Sequence, residues 1–148
     1  MKLIKLSVIA MVIASGSAFA TGLQFQDSET TNIYQAGYGN GANVLQGDSF
    51  KGTVNITQNG VNNLAGATQT GANPAIFGLG AGSEINVNQT GANNVSYNAQ
   101  SGDSSKINVT QANFGGAGNY SNVSQSADNS AVNVTQYGNA NWANVNQY

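Results

Sequence analysis

Glutamine side chains recur at regular spacing in this sequence, and the chemistry that they offer is hydrogen bonding. A primary amide carries two N–H donors and a carbonyl acceptor, so identical amides stacked one above another can bond in a continuous row. From residue 35 onward the Gln residues form five pairs, and an Asn precedes the second Gln of each pair by six residues. The candidate ladder residues are Gln35, Asn40, Gln46, Gln58, Asn63, Gln69, Gln89, Asn94, Gln100, Gln111, Asn119, Gln125, Gln136, Asn141 and Gln147.

Side chains suited to covalent, metal or phosphate chemistry are scarce. The chain has no His, no Cys and no Arg, and its six acidic residues are scattered along the sequence. No nucleophile–base pair and no cluster of metal ligands can be assembled from this set. Its four Lys residues form no basic patch for nucleic acid. We therefore expect a protein that is not an enzyme, needs no cofactor or metal and binds no nucleic acid.

The amides are embedded in a repeat of about 22–25 residues, the strongest signal in the chain. First halves, such as residues 54–58 and 107–111, alternate β-branched aliphatic residues with Asn and mostly Thr. Alternation with period 2 predicts β-strands. The second halves of the repeats show a weaker strand pattern and carry smaller inward residues. In the third repeat Val95, Tyr97 and Ala99 lie on the opposite parity, which predicts an irregular second strand.

Glycine marks the connection between the two halves of a repeat. It follows the first Gln of the pair by two residues at Gly37, Gly60, Gly91 and Gly138, whereas the fourth repeat has Asn113 there. Because glycine adopts positive φ without a Cβ penalty, a tight reversal is expected at these turn positions.

Two architectures fit strand–turn–strand repeats. In an antiparallel meander the two halves hydrogen-bond to each other as hairpins. In a solenoid they belong to different sheets, and each pairs with the same half of the next repeat. Gln, Asn and Ser share the inward face with Val and Ile, and an unpaired buried amide costs about 1–3 kcal/mol. Only the solenoid gives each amide an identical neighbour above and below, so it is favoured.

The predicted fold class is thus all-β, a β-solenoid with two strands per turn and about five stacked turns. Residues 73–82, which contain the only proline, form an insertion between the second and third turns. The five-repeat domain spans residues 29–148, with repeats at 29–46, 52–69, 83–100, 105–125 and 130–147.

The N-terminus has the features of an export signal. Two Lys residues precede an apolar run that is too short to span a bilayer, and Ala18-Phe19-Ala20 supplies small residues for cleavage after Ala20. We expect a signal peptide at 1–20, with a retained anchor as the weaker alternative, and a short targeting segment at 21–28. Loss of two of the four cations would change the net charge from −2 to −4.

Both ends of the predicted solenoid lack the charges or prolines that usually cap a strand edge. The first turn, residues 30–47, and the last, residues 129–148, contain none of either. Stacking identical subunits through such ends is a heterologous contact that does not close, so it yields a filament. On polymerisation a cross-β fibre is expected.

The motif Ser-x5-Gln-x-Gly-x2-Asn-x5-Gln is complete at residues 83–100 and 130–147. In spacing and residue type it resembles the repeat of the curlin family, and the resemblance extends over all five repeats. It implies a subunit of extracellular amyloid fibres (curli, or fimbriae) that serve surface adhesion and biofilm formation. Its regular last repeat is similar to that of main fibre subunits rather than of the minor nucleating subunit, which is the alternative.

The same resemblance implies partners. They are further copies of the chain, the minor nucleating curlin, the outer-membrane secretion pore and periplasmic chaperones, with extracellular matrix or host surface proteins as candidate ligands. The segment after the leader is shorter than the Gly-rich targeting segment of the family.

An ice-binding solenoid is a further alternative from another class. Outward Asn and Thr residues at 55/57, 108/110 and 133/135 would form a flat polar array, although Tyr34 and Asn88 interrupt it. The same pairs match glycosylation sequons, which we interpret as incidental to the repeat.

Overall fold

The computed structural model describes residues 8–12, 19–24, 29–47, 51–70 and 82–148, and this part of the chain is all-β. It contains no helix, and hence none able to cross a membrane. The strands are β1 (Val8–Val12), β2 (Phe19–Gln24), β3 (Thr30–Tyr38), β4 (Gly41–Gly47), β5 (Thr53–Val61), β6 (Leu64–Thr70), β7 (Glu84–Ala92), β8 (Val95–Gln100), β9 (Lys106–Ala112), β10 (Tyr120–Gln125), β11 (Ala131–Tyr137) and β12 (Trp142–Gln147).

The strands form two parallel six-stranded sheets. Sheet A has the order β1-β3-β5-β7-β9-β11, and sheet B has the order β2-β4-β6-β8-β10-β12. The two halves of a repeat therefore lie in different sheets, and each pairs with the same half of the next repeat. This topology confirms the β-solenoid and excludes the meander. Strands β3 to β12 make up the five predicted turns.

Register is what converts the repeat into columns of equivalent residues. Between β3 and β5, for example, Ile33 pairs with Ile56 and Gln35 with Gln58. The same match continues through β7, β9 and β11, so every column contains one residue from each repeat. Residues at equivalent positions of successive repeats therefore lie next to each other, at the inter-strand spacing of about 4.8 Å.

The core is a thin layer between the inner faces of the two sheets. Sheet A contributes β-branched aliphatic residues at two positions in each strand from β5 to β11, β3 contributes Thr31 and Ile33 at these positions, and sheet B mostly contributes smaller side chains. The buried apolar residues are Ile33, Ala42, Val44, Val54, Ile56, Ala65, Ala67, Ile85, Val87, Ile107, Val109, Val123, Val132 and Val134. Large residues on one sheet thus face small ones on the other, which keeps the sheets close together.

The connecting arches explain the glycine spacing. Gly37, Gly60, Gly91 and Gly138 all have positive φ, between 93° and 132°. A Cβ on Gly60 would lie 1.9 Å from the carbonyl oxygen of Gly91 in the next turn. The arches stack directly on one another, so Gly37, Gly60 and Gly91 are required both for backbone conformation and for close approach, whereas Gly138 in the last turn is required for its conformation alone.

The expectation of an irregular second strand in the third repeat was wrong. β8 is regular, and it pairs in register with β6 and β10. Its shifted parity places Ser96 and Asn98 inside, where the Asn98 amide donates to the Ser96 hydroxyl at 2.9 Å. A local polar pair replaces apolar packing without disturbing the strand. The predicted insertion at 73–82 lies outside the described residues except for Gly82.

Strands β1 and β2 were not predicted. Val8–Val12 pairs with β3, and Phe19–Gln24 pairs with β4, so one more turn stacks on the first repeat. Most of this turn falls in the segment predicted to be a signal peptide, which stays a prediction, as does cleavage after Ala20. The exposed edge of the first repeat evidently accepts further parallel strands.

Replacing Ala140 with Asn tests the left-handed position that precedes the ladder Asn in four of the five arches. Ala140 has φ of 57°, whereas the equivalent Asn62 and Asn93 have 54° and 58°. Asn tolerates this conformation better than Ala, so Ala140→Asn should raise the free energy of unfolding by about 0.5–1 kcal/mol. Urea titration of the freshly refolded chain measures it. Ala131→Asn, the same replacement at an exposed strand position, should give no gain; equal effects would contradict the argument.

Candidate functional site

The first column of buried glutamines runs along the inner face of sheet A. Each side-chain N–H2 donates to the Oε1 of the Gln in the following repeat. The donor–acceptor distances are 2.7 Å from Gln35 to Gln58, 2.8 Å from Gln58 to Gln89, 2.8 Å from Gln89 to Gln111 and 2.8 Å from Gln111 to Gln136. The first four of these side chains are fully buried, and Gln136 is 6 % exposed. We call this column the A ladder.

The second hydrogen of each donor group links the two sheets. Gln58 Nε2 donates to the Gly41 carbonyl at 2.9 Å, and Gln89 Nε2 donates to the Leu64 carbonyl at 3.0 Å. Gln111 and Gln136 make the equivalent bonds to the carbonyls of Val95 and Tyr120. The acceptor is always the first residue of the sheet B strand in the preceding turn. The A ladder therefore holds neighbouring turns together and also fixes the distance between the sheets.

A second column of glutamines, the B ladder, follows the inner face of sheet B. It runs with the same polarity through Gln46, Gln69, Gln100, Gln125 and Gln147, with distances between 2.9 and 3.0 Å. Gln147 belongs to the last turn and is only half-buried. The two ladders flank the aliphatic core at opposite ends of the inner space, and every Gln in them has a Gln neighbour. Asn98, which is also buried, is the exception among the interior amides described: it lies between Ala67 and Val123, and its Oδ1 accepts no hydrogen bond.

The asparagines form a third column at the arches, with the opposite polarity. The side-chain N–H2 of Asn63, Asn94 and Asn141 donates to Oδ1 of the Asn one turn earlier, at 3.0–3.2 Å. The backbone N–H groups of the same residues donate to that oxygen as well. Asn119 keeps the backbone bond, but its amide turns to the Ala112 carbonyl at 3.4 Å because the arch of the fourth repeat is longer.

All fifteen predicted ladder residues are thus placed in three stacked columns, and the four predicted turn glycines lie beside the Asn column. Asn113 replaces the glycine in the fourth repeat. Its Oδ1 accepts from the backbone N–H of Ala92 at 2.7 Å, which compensates for the changed arch. Ala20 lies in β2, where it pairs with Ala42 of β4.

The sequence analysis did not assign a fourth column, on the outer face of sheet A. The amides of Asn32, Asn55, Asn86, Asn108 and Asn133 bond one to the next at 2.7–2.9 Å. The signal was an Asn between two β-branched residues in every first half, with Thr31 in place of an aliphatic residue in the first repeat. Because these positions are more exposed than the inner ladders, water competes for the same bonds and their net stabilisation is smaller.

Most of the charged residues described lie on the outside; Glu29, which begins the first repeat, is buried. Glu84 and Lys106 are in register at the starts of β7 and β9, with Nζ and Oε2 2.7 Å apart. The hydrogen bond from Lys106, assisted by Asn86, lowers the pKa of the Glu84 carboxyl below its ordinary value of 4.5. Among the described residues no group of three or more His, Cys, Asp or Glu side chains is arranged to hold a metal ion. The geometry offers repeated hydrogen bonding along one axis.

Residues 53–74 match the family model of the curlin associated repeat. This segment covers all but the first residue of the second repeat, and the match is consistent with a curlin-like protein. Comparison with curated proteins gives no match. Together with the solenoid fold, the repeat match indicates a structural protein rather than an enzyme.

Gln89→Leu tests the A ladder with a side chain of similar size that cannot hydrogen-bond. It would leave the Gln58 donor, the Gln111 acceptor and the Leu64 carbonyl without their bonds, at about 1–3 kcal/mol for each buried orphan. The free energy of unfolding in urea should fall by several kcal/mol. Asn88→Leu, the same replacement on the exposed face, should change it by about 0.5 kcal/mol or less. Similar losses in both variants would exclude a special role for the ladder.

Acidification tests the Glu84–Lys106 pair. The folded-state pKa of Glu84 is depressed. Its contribution to the free energy of unfolding is therefore complete above pH 4.5 and disappears as the pH falls through the lower pKa of the folded state. Both side chains are more than a third exposed, so the contribution should be below about 1 kcal/mol. Stability curves of the wild type and Glu84→Gln should converge at low pH. Parallel curves from pH 7 to 3 would contradict this assignment.

Proposed function

We propose that this chain is the main structural subunit of a curli-type extracellular amyloid fibre, which grows by end-to-end stacking of solenoids. One observation carries the proposal: the three inner amide columns run through all five repeats to the last turn, which offers partners for another copy. The first repeat would do so once β1 and β2 leave its edge. The curlin repeat match supports the same family of structures.

The last turn has the features of a growth surface. Among the described residues β11 pairs only with β9 and β12 only with β10, which leaves the other edge of each strand without a strand partner. Val132 and Val134 retain 6–7 % exposure, whereas their counterparts in the interior turns lie at 0–2 %. Ala143 and Val145 of β12 are only partly buried. A second copy would cover this apolar strip and continue both sheets.

Growth without limit follows from the symmetry of the contact. The two ends of a solenoid are different surfaces, so their contact is heterologous and leaves a free end after each addition. Parallel, in-register strands perpendicular to the growth axis are also the arrangement of cross-β fibres. Each added subunit would thus extend the ladders by five rungs.

The cellular part of the proposal rests on the family resemblance and the N-terminal sequence. We expect removal of residues 1–20, export through a dedicated outer-membrane pore with periplasmic chaperones, and nucleation at the cell surface by a minor curlin. The fibres would serve adhesion and biofilm matrix. The regular pairing of β11 with β9 and of β12 with β10 favours a main subunit over a nucleating one.

Refolding the 21–148 chain from denaturant tests the proposal. Fibres that bind amyloid dye should form and give reflections near 4.8 Å along the fibre and about 10 Å across it. A persistently monomeric product without the 4.8 Å reflection would exclude a fibre subunit.

Val134→Lys provides a matched variant for the same assay. It places a charge in the apolar strip of the last turn, where stacking would bury it, and should reduce the rate of elongation by at least about tenfold. Thr135→Lys places the same charge on the exposed face of β11 and should elongate close to the wild-type rate. Equal inhibition by both would argue against the last turn as a growth surface.

A further inference from the structure

Two Asn-Gly dipeptides occur in the sequence, Asn40-Gly41 and Asn59-Gly60, and they lie in different environments of the fold. We infer that Asn40-Gly41 is a site of spontaneous deamidation that is open in the unfolded chain and closed by folding, and that modification there removes the first donor of the Asn column. Asn59-Gly60 has the same chemistry but lies outside the columns. The inference goes beyond the proposed fibre function, because it concerns each single chain before and after it folds.

The reaction needs only the two residues and water. The backbone nitrogen of Gly41 loses its proton to solvent base and attacks Cγ of Asn40. The bond from this nitrogen to Cγ forms, the bond from Cγ to Nδ2 breaks, and Nδ2 takes a proton from solvent and leaves as ammonia. Water then opens the succinimide ring at either carbonyl and yields aspartate or isoaspartate at position 40. Glycine favours the attack because it has no Cβ beside the nitrogen and its backbone is less restricted.

In the folded chain the Asn40 side chain is buried, with 1 % exposure, and all its polar atoms are engaged. Nδ2 donates to the carbonyls of Ala36 at 2.8 Å and of Gly60 at 3.0 Å. Oδ1 accepts from the backbone N–H and the side-chain N–H2 of Asn63, at 3.0 and 3.2 Å. Release of Nδ2 would break the first two bonds, and movement of Cγ into a ring would disturb the other two.

The attacking nitrogen is held as well. Gly41 is the first residue of β4, and its N–H donates to the carbonyl of Asn63 in the next turn at 2.8 Å. The proton that has to be removed therefore lies in a hydrogen bond between turns, and its removal requires this part of the strand to open. Folding thus protects both partners of the reaction, whereas the unfolded chain protects neither.

The other four repeats do not share this chemistry. There the ladder Asn is followed by a large side chain, which hinders attack by the following backbone nitrogen. The pairs are Asn63-Leu64, Asn94-Val95, Asn119-Tyr120 and Asn141-Trp142. Within the Asn column, the first repeat therefore holds the one rung that is joined to an unhindered nitrogen.

The backbone does not require glycine at position 41. Gly37 and Gly60 have positive φ, whereas Gly41 lies in β4 without a positive φ. A Cβ built on Gly41 would lie 3.1 Å from Leu64 Cδ1, which is the end of a flexible side chain and can move. An alanine would fit here, so turn geometry does not impose the Asn-Gly pair on the first repeat.

Conversion of Asn40 would remove a donor group that the first arch uses. A carboxylate has no hydrogen for the carbonyls of Ala36 and Gly60, and its charge would lie beside their oxygens in a buried site. The isoaspartate form also adds one carbon to the main chain at the start of β4, which would disturb its register with β6. At Asn59, whose side chain is exposed, a new charge would instead meet water.

Deamidation rates test the inference. The full chain is held at mildly alkaline pH in guanidinium chloride in one sample and folded without denaturant in the other. After unfolding, trypsin cleavage at Lys51 places the two Asn-Gly pairs in different peptides, and fragmentation mass spectrometry measures conversion at each. Asn40 and Asn59 should react at similar rates in denaturant. In the folded chain Asn40 should react at least about tenfold more slowly than in denaturant, because the reaction waits for local opening.

Equal rates at Asn40 in the two samples would overturn its protection by folding. Conversion at Asn59 but not at Asn40 in denaturant would overturn the site itself. Gly41→Ala is the matched chemical control: its methyl group should slow conversion of Asn40 in denaturant by about tenfold and leave Asn59 unaffected. An unchanged rate at Asn40 in this variant would contradict attack by the nitrogen of residue 41.

Asn40→Asp reproduces one product and tests its effect on the fold. Its midpoint of urea unfolding should lie below that of the wild type, because the carbonyls of Ala36 and Gly60 lose their donor. Asn59→Asp introduces the same charge at an exposed position and should keep a midpoint close to that of the wild type. Equal midpoints for the two variants would overturn the effect on the Asn column, whereas failure of Asn40→Asp alone to fold would be its strongest form.

Discussion

The rest of the structure depends on the need of buried amides for partners. Ten glutamines and several asparagines lie in the interior between the sheets, and each unpaired amide there would cost about 1–3 kcal/mol, an amount similar to what the burial of one aliphatic side chain contributes. Parallel in-register stacking solves this for every rung at once, because each amide meets an identical amide at the spacing of the strands. Parallel pairing, the common register and the constant cross-section all serve this one requirement.

Other features follow from keeping that cross-section constant. The hydrogen bonds from Gln side chains to carbonyls of the other sheet keep the two sheets a short distance apart. Bulky aliphatic residues on sheet A therefore face Ala, Ser and Val on sheet B. Arches must stack as closely as strands, and a Cβ at Gly60 would collide with the Gly91 carbonyl. Local changes are accommodated where they do not alter the stack. The Ser96–Asn98 pair inside β8 and the longer arch after Asn113 are both examples.

The same regularity links the fold to assembly. A closed globular core satisfies its groups internally, whereas a ladder always has a first and a last rung. Ladders of opposite polarity make the two ends chemically different, so the contact between copies has a direction. Polymerisation would then be a continuation of the fold: the bonds between subunits are of the same kind as those between repeats.

The sequence by itself determined the repeat, the inward and outward faces, the turn glycines and the choice of solenoid over meander. These depend on residue type and spacing, which are local properties. Only the tertiary structure decided the direction in which each amide donates, the outer Asn column, the regularity of β8 and the pairing of β1 and β2. Donor direction is a property of a whole column, since one amide's orientation is set by its neighbours. Strand pairing at an edge likewise depends on which segment is in reach, and Phe19–Gln24 is the segment that pairs with β4.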